Sequence, residues 1–102
     1  LGEVVLEREY QALLIRRLQD RFLGCLILKN DSSYLPGVPD LLVLYRNRWA
    51  MLEVKAYEDA PEQPNQEFYV NSLNAMSFAA FIYPENEKEV LDDLQSAFER
   101  RR

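Results

Sequence analysis

The chain has no histidine and only one cysteine among its 102 residues. Without an imidazole, Ser-His-Asp and Cys-His catalysis are excluded, as is a zinc site built from cysteine and histidine. A lone Cys25 cannot form an internal disulfide. Within Leu23-Gly24-Cys25-Leu26-Ile27-Leu28 it reads as a buried small hydrophobe, and a reducing setting, cytoplasmic or nuclear, is expected. Apolar runs fall well short of the ~20 residues that cross a bilayer, and the amino end does not read as a signal peptide. Positive charge is scarce too. Twelve Lys and Arg stand against 17 Asp and Glu, a net charge of −5, which argues against a protein that coats nucleic acid. An enzyme acting on nucleic acid stays open, because cations held by catalytic carboxylates reverse the local charge.

What is present is a composition able to fold alone. Hydrophobic residues make up 48% and aromatics 12%, enough for one core and one domain over 1–102. Val4, Tyr10, Leu13, Leu14 and Leu18 recur at helical spacing, which predicts a first helix over 3–22 stopped near Gly24. Residues 25–29 read as a short apolar strand and 30–37 as a loop. Leu41-Leu42-Val43-Leu44-Tyr45 and Trp49-Ala50-Met51-Leu52 are two further strands around a tight turn. The acidic stretch 57–63, with Pro61, reads as an exposed, mobile connection. Pro64 is expected to open a helix reaching about Met76, with Phe68, Leu73 and Met76 available for burial. Residues 78–83 form another strand, ended by Pro84. A last helix over 87–100 puts Val90, Leu91, Leu94, Ala97 and Phe98 on one stripe. The predicted class is α/β, in the order helix, three strands, helix, strand, helix. Strands one to three would be a meander, and the fourth, arriving after a crossover helix, would add in parallel to give a mixed sheet.

Chemistry concentrates at two motifs, Gly37-Val38-Pro39-Asp40 and Glu53-Val54-Lys55. If Arg46-Asn47 is the hairpin turn, with Asn47 tolerating positive φ, Tyr45 faces Arg48 and counting outward sets Asp40 opposite Glu53. Side chains alternate along a strand, so Glu53 and Lys55 share a face. Taken alone, Glu-x-Lys on a strand reads as an ion pair, and Asp40 as a turn cap. That reading gives no reason for charges where Leu52 and Val54 mark a buried strand. Two carboxylates with waters and a main-chain carbonyl make a hard oxygen site suited to Mg2+ or Mn2+. Lys55 beside it would position an attacking water or offset charge developing in the transition state.

These motifs resemble those of the PD-(D/E)XK nuclease superfamily, over most of the chain. In its Holliday-junction resolvases a Glu-x-Glu and a hydrophobic residue on the first helix precede Pro-Asp, and Glu7-Arg8-Glu9-Tyr10 matches that arrangement. Glu7 falls in the position of the catalytic glutamate, with Glu9 as its rival; taken alone, both suit an acidic first helical turn. The closer similarity is to the VRR-NUC (virus-type replication-repair nuclease) branch, found alone in phages and as the nuclease module of larger repair enzymes. Its strand lysine, Gly-x-Pro-Asp, Glu-x-Lys and helix glutamine map onto Lys29, 37–40, 53–55 and Gln66. The stretch Pro64-Asn65-Gln66-Glu67-Phe68-Tyr69 resembles the corresponding helix start. Departures are the acidic 56–63 connection and the low overall charge.

The resemblance implies a restriction-endonuclease-like core and a Mg2+- or Mn2+-dependent endonuclease acting on DNA. Asp40, Glu53 and the Val54 carbonyl would hold the metal, Lys55 would assist the attacking water, Glu7 would bind at the metal, and Gln66 would support the site. Four-way or other branched junctions are the implied substrate, and symmetric cutting calls for a homodimer. Candidate DNA contacts are Lys29, Arg8, Tyr34 (an aromatic that could stack on an unpaired base), Arg46 and Arg48, with an Arg100-Arg101-Arg102 tail. Arg46 and Arg48 flank the turn, far from Asp40, and suit a distant part of a substrate or a partner subunit. Two rivals stand beside this reading. One is a RecB-like exonuclease or flap nuclease, although the Gln66-to-Tyr69 spacing is one residue short of that group's motif. The other is a nuclease-fold module that binds DNA without cutting it.

Overall fold

The computed structural model describes residues 2–100, and side chains from Leu6 onward. The Val4 side chain and the last two arginines of the basic tail therefore lie outside the described residues. The element order is α1 (Gly2–Arg21), β1 (Leu26–Lys29), β2 (Leu41–Tyr45), β3 (Arg48–Val54), α2 (Gln66–Met76), β4 (Ala79–Ile82) and α3 (Glu87–Glu99). The strands make one four-stranded sheet in the order β1-β2-β3-β4. The β1–β2 and β2–β3 pairs are antiparallel, and β4 joins β3 in parallel. The result is a mixed sheet with three helices, as the element pattern predicts.

One face of the sheet makes the core. Leu41, Val43, Ala50, Leu52, Val54 and Ile82 are fully buried there, every second residue of their strands. Tyr10, Leu14 and Leu18 of α1 recur four apart, and Phe22 follows just past the helix. Val90, Leu91, Leu94 and Phe98 of α3 complete the cluster. Burying each such leucine or valine contributes about 1.5–3 kcal/mol. Polar bonds tie the two helices together along their rims: Tyr10 donates to Glu87 at 2.8 Å, and Arg17 and Arg21 pair with Glu87 and Asp92, each at 2.7 Å. Asn86 starts α3; its side chain accepts from the Tyr83 amide at 2.9 Å and donates to the Phe81 carbonyl at 3.0 Å. That double contact fixes how the chain leaves β4.

The other face is covered in part. α2 packs against β3 and β4, and its buried residues are Gln66 and Val70. Phe68 and Met76 are exposed and Leu73 is half-buried, contrary to expectation, because α2 turns only a narrow stripe toward the sheet. Among the described residues α2 makes no comparable contact with β1 or β2, on whose same face the cross-strand rows Leu26–Leu44–Trp49 and Leu28–Leu42–Met51 run. Leu26 stays 64% exposed and Leu28 50%.

Several local expectations need correction. The turn is Arg46-Asn47, but the positive φ belongs to Arg46 (58°), not to Asn47. Pro64 does not open α2: Asn65, at φ 72°, interposes a left-handed residue and the helix begins at Gln66. Leu13 is exposed, and Cys25 is half-buried with its thiol directed to the Leu18 carbonyl at 3.8 Å. Among the described residues no helix is long and apolar enough to cross a membrane.

Candidate active site

The hairpin ladder pairs Tyr45 with Arg48 and ends with Leu41 opposite Leu52. The next pair outward is Asp40 and Glu53, in the register counted from the turn. Asp40 is held on both sides. Its Oδ2 accepts from the Val54 amide at 2.9 Å, and its carbonyl accepts from the Asn30 amide at 2.9 Å. Asn30 also donates through its side chain to the Pro39 carbonyl at 2.8 Å. The residue just past β1 thus anchors the Pro-Asp step, a role that its place in a polar loop segment does not reveal.

Glu53 and Lys55 project from the face opposite the core, under the start of α2. They are 3% and 5% exposed, with Gln66 buried beside them. Gln66 bridges the pair: Nε2 donates to Glu53 Oε2 at 2.9 Å, and Oε1 accepts from Lys55 Nζ at 2.7 Å. The Gln63 amide donates to the same Oε1 at 2.8 Å, which fixes the orientation of the Gln66 amide. Lys55 Nζ also donates to the Pro61 carbonyl at 2.9 Å. The 56–63 connection is therefore tied to the site by two bonds rather than hanging free, and Pro61 and Gln63 make these bonds through main-chain atoms. No side-chain pattern signals such a role.

A cavity of about 260 Å3 opens on this cluster, lined by Glu7, Asp40, Glu53, Lys55 and Gln66 together with Ala60, Pro61 and Gln63. Glu7 reaches it from α1, whereas Glu9 is exposed and does not line it. Val54 is not among the lining residues, and its described part in the site is the amide bonded to Asp40. Lys29, Arg8 and Tyr34 are exposed and lie outside the cavity wall. Arg46 and Arg48 stand at the opposite end of the hairpin, where Arg46 lies 4.9 Å from the Tyr45 ring centroid and Arg48 donates to the Arg100 carbonyl.

The electrostatics of the site are those of two carboxyls forced together out of water. Burial, and then the Asp40 carboxylate, push the Glu53 carboxyl up to about 9, with Lys55 only partly opposing the shift. Burial likewise raises Asp40, against the stabilising Val54 amide. One oxygen of the cluster, Glu53 Oε1, is buried and receives no donor among the described residues; when Glu53 is protonated, its hydrogen bond is to the Asp40 carboxylate. A buried acceptor of that kind costs roughly 1–3 kcal/mol unless something completes it. Among the described residues, no three His, Cys, Asp or Glu side chains stand together so as to hold a metal ion by themselves. A cation here would thus take Asp40 and Glu53 with water or main-chain oxygens, an all-oxygen set that fits Mg2+ or Mn2+ rather than a softer ion.

Comparison with protein-family models, with characterised proteins and with solved structures finds no match.

Proposed function

We propose that the chain is a Mg2+- or Mn2+-dependent nuclease that hydrolyses phosphodiester bonds in DNA, built on a restriction-endonuclease-like core of the PD-(D/E)XK superfamily, VRR-NUC branch. The observation that carries this reading is the buried Glu53, whose Oε1 receives no donor, paired with the half-buried Asp40 and with Lys55 alongside. Supporting it are the order of elements and the placement of Glu7 and Gln66 on the same cavity as the two motifs.

In this reading Asp40 and Glu53 would hold the ion, with the Val54 carbonyl as a further ligand, and Glu7, which lines the same cavity, would bind the ion or its water. The ion supplies Lewis-acid polarisation of a phosphoryl oxygen. The residues do the rest. The Val54 amide and Asn30 hold Asp40 in place, Gln66 holds Glu53 and Lys55 at fixed separation, and Lys55 Nζ orients the attacking water and offsets charge in the transition state. Pro61 and Gln63 keep those donors aimed. The cavity's small size suits a phosphate and its water, so the bulk of a substrate must lie outside it. Lys29, Arg8 and Tyr34 are the candidate contacts on the same molecule, and Arg46 and Arg48 those for a remote segment.

A branched DNA substrate and a homodimer belong to the same proposal. The observation that favours a second copy is the apolar strip of Leu26, Leu28 and their cross-strand neighbours, left open on the face that also carries the site. Light scattering on the purified chain should give twice the monomer mass, and Leu26→Glu with Leu28→Glu should return it to one.

Supercoiled plasmid, linear duplex and a four-way junction incubated with Mg2+, Mn2+ or EDTA test the reaction. Cleavage of closed circles or junctions with either metal, abolished by EDTA and by Asp40→Ala, is expected. Activity that survives either treatment sinks the metal mechanism. A strong preference for free ends points to the exonuclease, and tight DNA binding with no cleavage to a non-cutting module.

A further inference from the structure

A second cavity, of about 320 Å3, adjoins the first and shares Asp40, Gln63 and Gln66 with it. Its remaining walls come from the 32–38 loop on one side and from Pro64 and Asn65 on the other. The two cavities divide the chemistry sharply. The first gathers Glu7, Asp40, Glu53 and Lys55; the second has no charged side chain except the Asp40 it shares. A phosphodiester is divided in the same way, into an anionic phosphate and the uncharged nucleosides that it joins.

We propose that this second cavity is a nucleoside subsite, which takes the sugar and base adjoining the phosphate that is cut. The inference rests on the nuclease reading above and adds where the substrate is gripped. Its volume lies near the lower end of the ~300–1,000 Å3 typical of small-ligand sites, which suits one nucleoside and not a run of them. Pro36, Val38 and Pro64 give apolar surface for a flat ring, and Ser32 and Asn65 bring polar groups to the rim.

Asn65 is the telling residue. It occupies the N-cap position of α2, where an asparagine ordinarily spends its side-chain oxygen on a free helical amide. Here it is left-handed, at φ 72°, and makes no side-chain capping bond. Asparagine tolerates that conformation better than other non-glycine residues, and there its side-chain amide is left without a helical partner. The opposite wall is matched to it. Gly37, at φ 94°, comes so close that a Cβ there would lie 2.7 Å from Asn65 Cβ and 2.9 Å from the Pro64 carbonyl oxygen. Only glycine allows that approach, so the Gly-x-Pro-Asp turn closes one end of the subsite directly against the start of α2 and fixes the position of Asp40.

The test compares Asn65→Gly with Ser32→Ala. Glycine keeps the left-handed backbone while removing the amide, and Ser32 is an exposed residue whose truncation leaves the fold intact. After the cut is mapped in a defined oligonucleotide, the base on one or the other side of it is replaced by an abasic residue. Wild type should lose about tenfold in kcat/KM for the abasic residue on one side only, the size expected from one or two lost hydrogen bonds. The Asn65→Gly, Ser32→Ala double variant should treat the base-bearing and abasic strands alike. Equal sensitivity to the abasic residue in both proteins, or none in wild type, overturns the subsite. Titration of an oligonucleotide and its fully abasic counterpart in Ca2+ makes the same comparison by affinity. Absence of cleavage then counts against the nuclease reading alone, while equal wild-type affinities for the two strands overturn the subsite.

Discussion

The two ends of the β2–β3 hairpin are built on the same ladder and finished in opposite ways. At the turn, Tyr45 meets Phe22 and Phe98, with the three ring centroids 5.2–5.5 Å apart, and Arg46 lies over the Tyr45 ring. Apolar surface there is covered by apolar surface. At the other end the strands bring Asp40 and Glu53 together, and Glu53 is left with a buried oxygen that no donor reaches and that only a shared proton ties to Asp40. Desolvation that stabilises the turn end works against the site end, where it falls on groups that prefer to be charged. Fold stability and site chemistry are therefore concentrated at separate ends of one hairpin. Substitutions should dissociate them.

On the nuclease reading, the largest effect is expected on cleavage. Asp40→Ala or Glu53→Gln should lower the rate by about a thousandfold or more, comparable to losing a central transition-state contact. Plasmid nicking measures it. At the opposite end, Phe98→Ala should leave kcat within a factor of two while costing about 3–5 kcal/mol of stability, the range for a buried aromatic, read by denaturant titration. Should Phe98→Ala cut activity as deeply as Asp40→Ala, the two ends would not be separable.

The pH dependence of stability sharpens the same contrast. Glu53 holds its proton in the fold up to about 9, whereas an unfolded glutamate releases it near 4.5. Between those values unfolding releases a proton, so the metal-free protein is most stable at the acid end and loses stability as pH rises through the window. Melting should therefore fall by at least ~5 °C between about pH 5 and pH 8, given that ~1 kcal/mol shifts a domain of this size by 4–8 °C. If the proposed site binds Mn2+, the ion would replace that proton, so its stabilising effect should grow with pH. Glu53→Gln should flatten the melting profile and raise the melting point of the metal-free protein at pH 8. A flat profile in the wild type would mean that Glu53 is charged at neutral pH without a cation.

The turn end and the Asp40–Glu53 pairing were both legible in the sequence, and for one reason. A two-residue turn between alternating strands has a single register that buries Leu41, Val43, Ala50 and Leu52, and that register carries Asp40 to Glu53. The parallel β4 followed from the helix between it and β3. Two things were not legible. Which side of α2 is buried depends on how much of the sheet it covers, and an apolar count over Phe68, Leu73 and Met76 does not contain that. The second is the set of main-chain groups that hold the site, from Asn30, Pro61 and Gln63. A carbonyl or an amide belongs to every residue, so side-chain identity marks none of them. Asn65 left a fainter trace, an asparagine after proline where a left-handed residue is tolerated.

The smallest expected effect is at Arg46. With φ at 58°, it holds a conformation that L residues adopt at a cost and glycine adopts freely. Arg46→Gly should relieve that strain, but it also removes the guanidinium from the Tyr45 ring, an exposed contact worth about 0.5–1 kcal/mol, and adds freedom to the unfolded chain. Left-handed strain of ~1–2 kcal/mol slightly outweighs the two losses, so the variant should be stabilised by at most ~0.5 kcal/mol, with cleavage of a short duplex unchanged. Arg46→Ala separates the contributions: it loses the ring contact and keeps the strain, and should be the less stable of the two. If Arg46→Ala matches or exceeds Arg46→Gly in a denaturant titration, the positive φ is not where the turn stores its cost. A short duplex cleaved normally while a four-way junction is cleaved poorly by either variant would instead give Arg46 a role in holding a remote arm of the substrate.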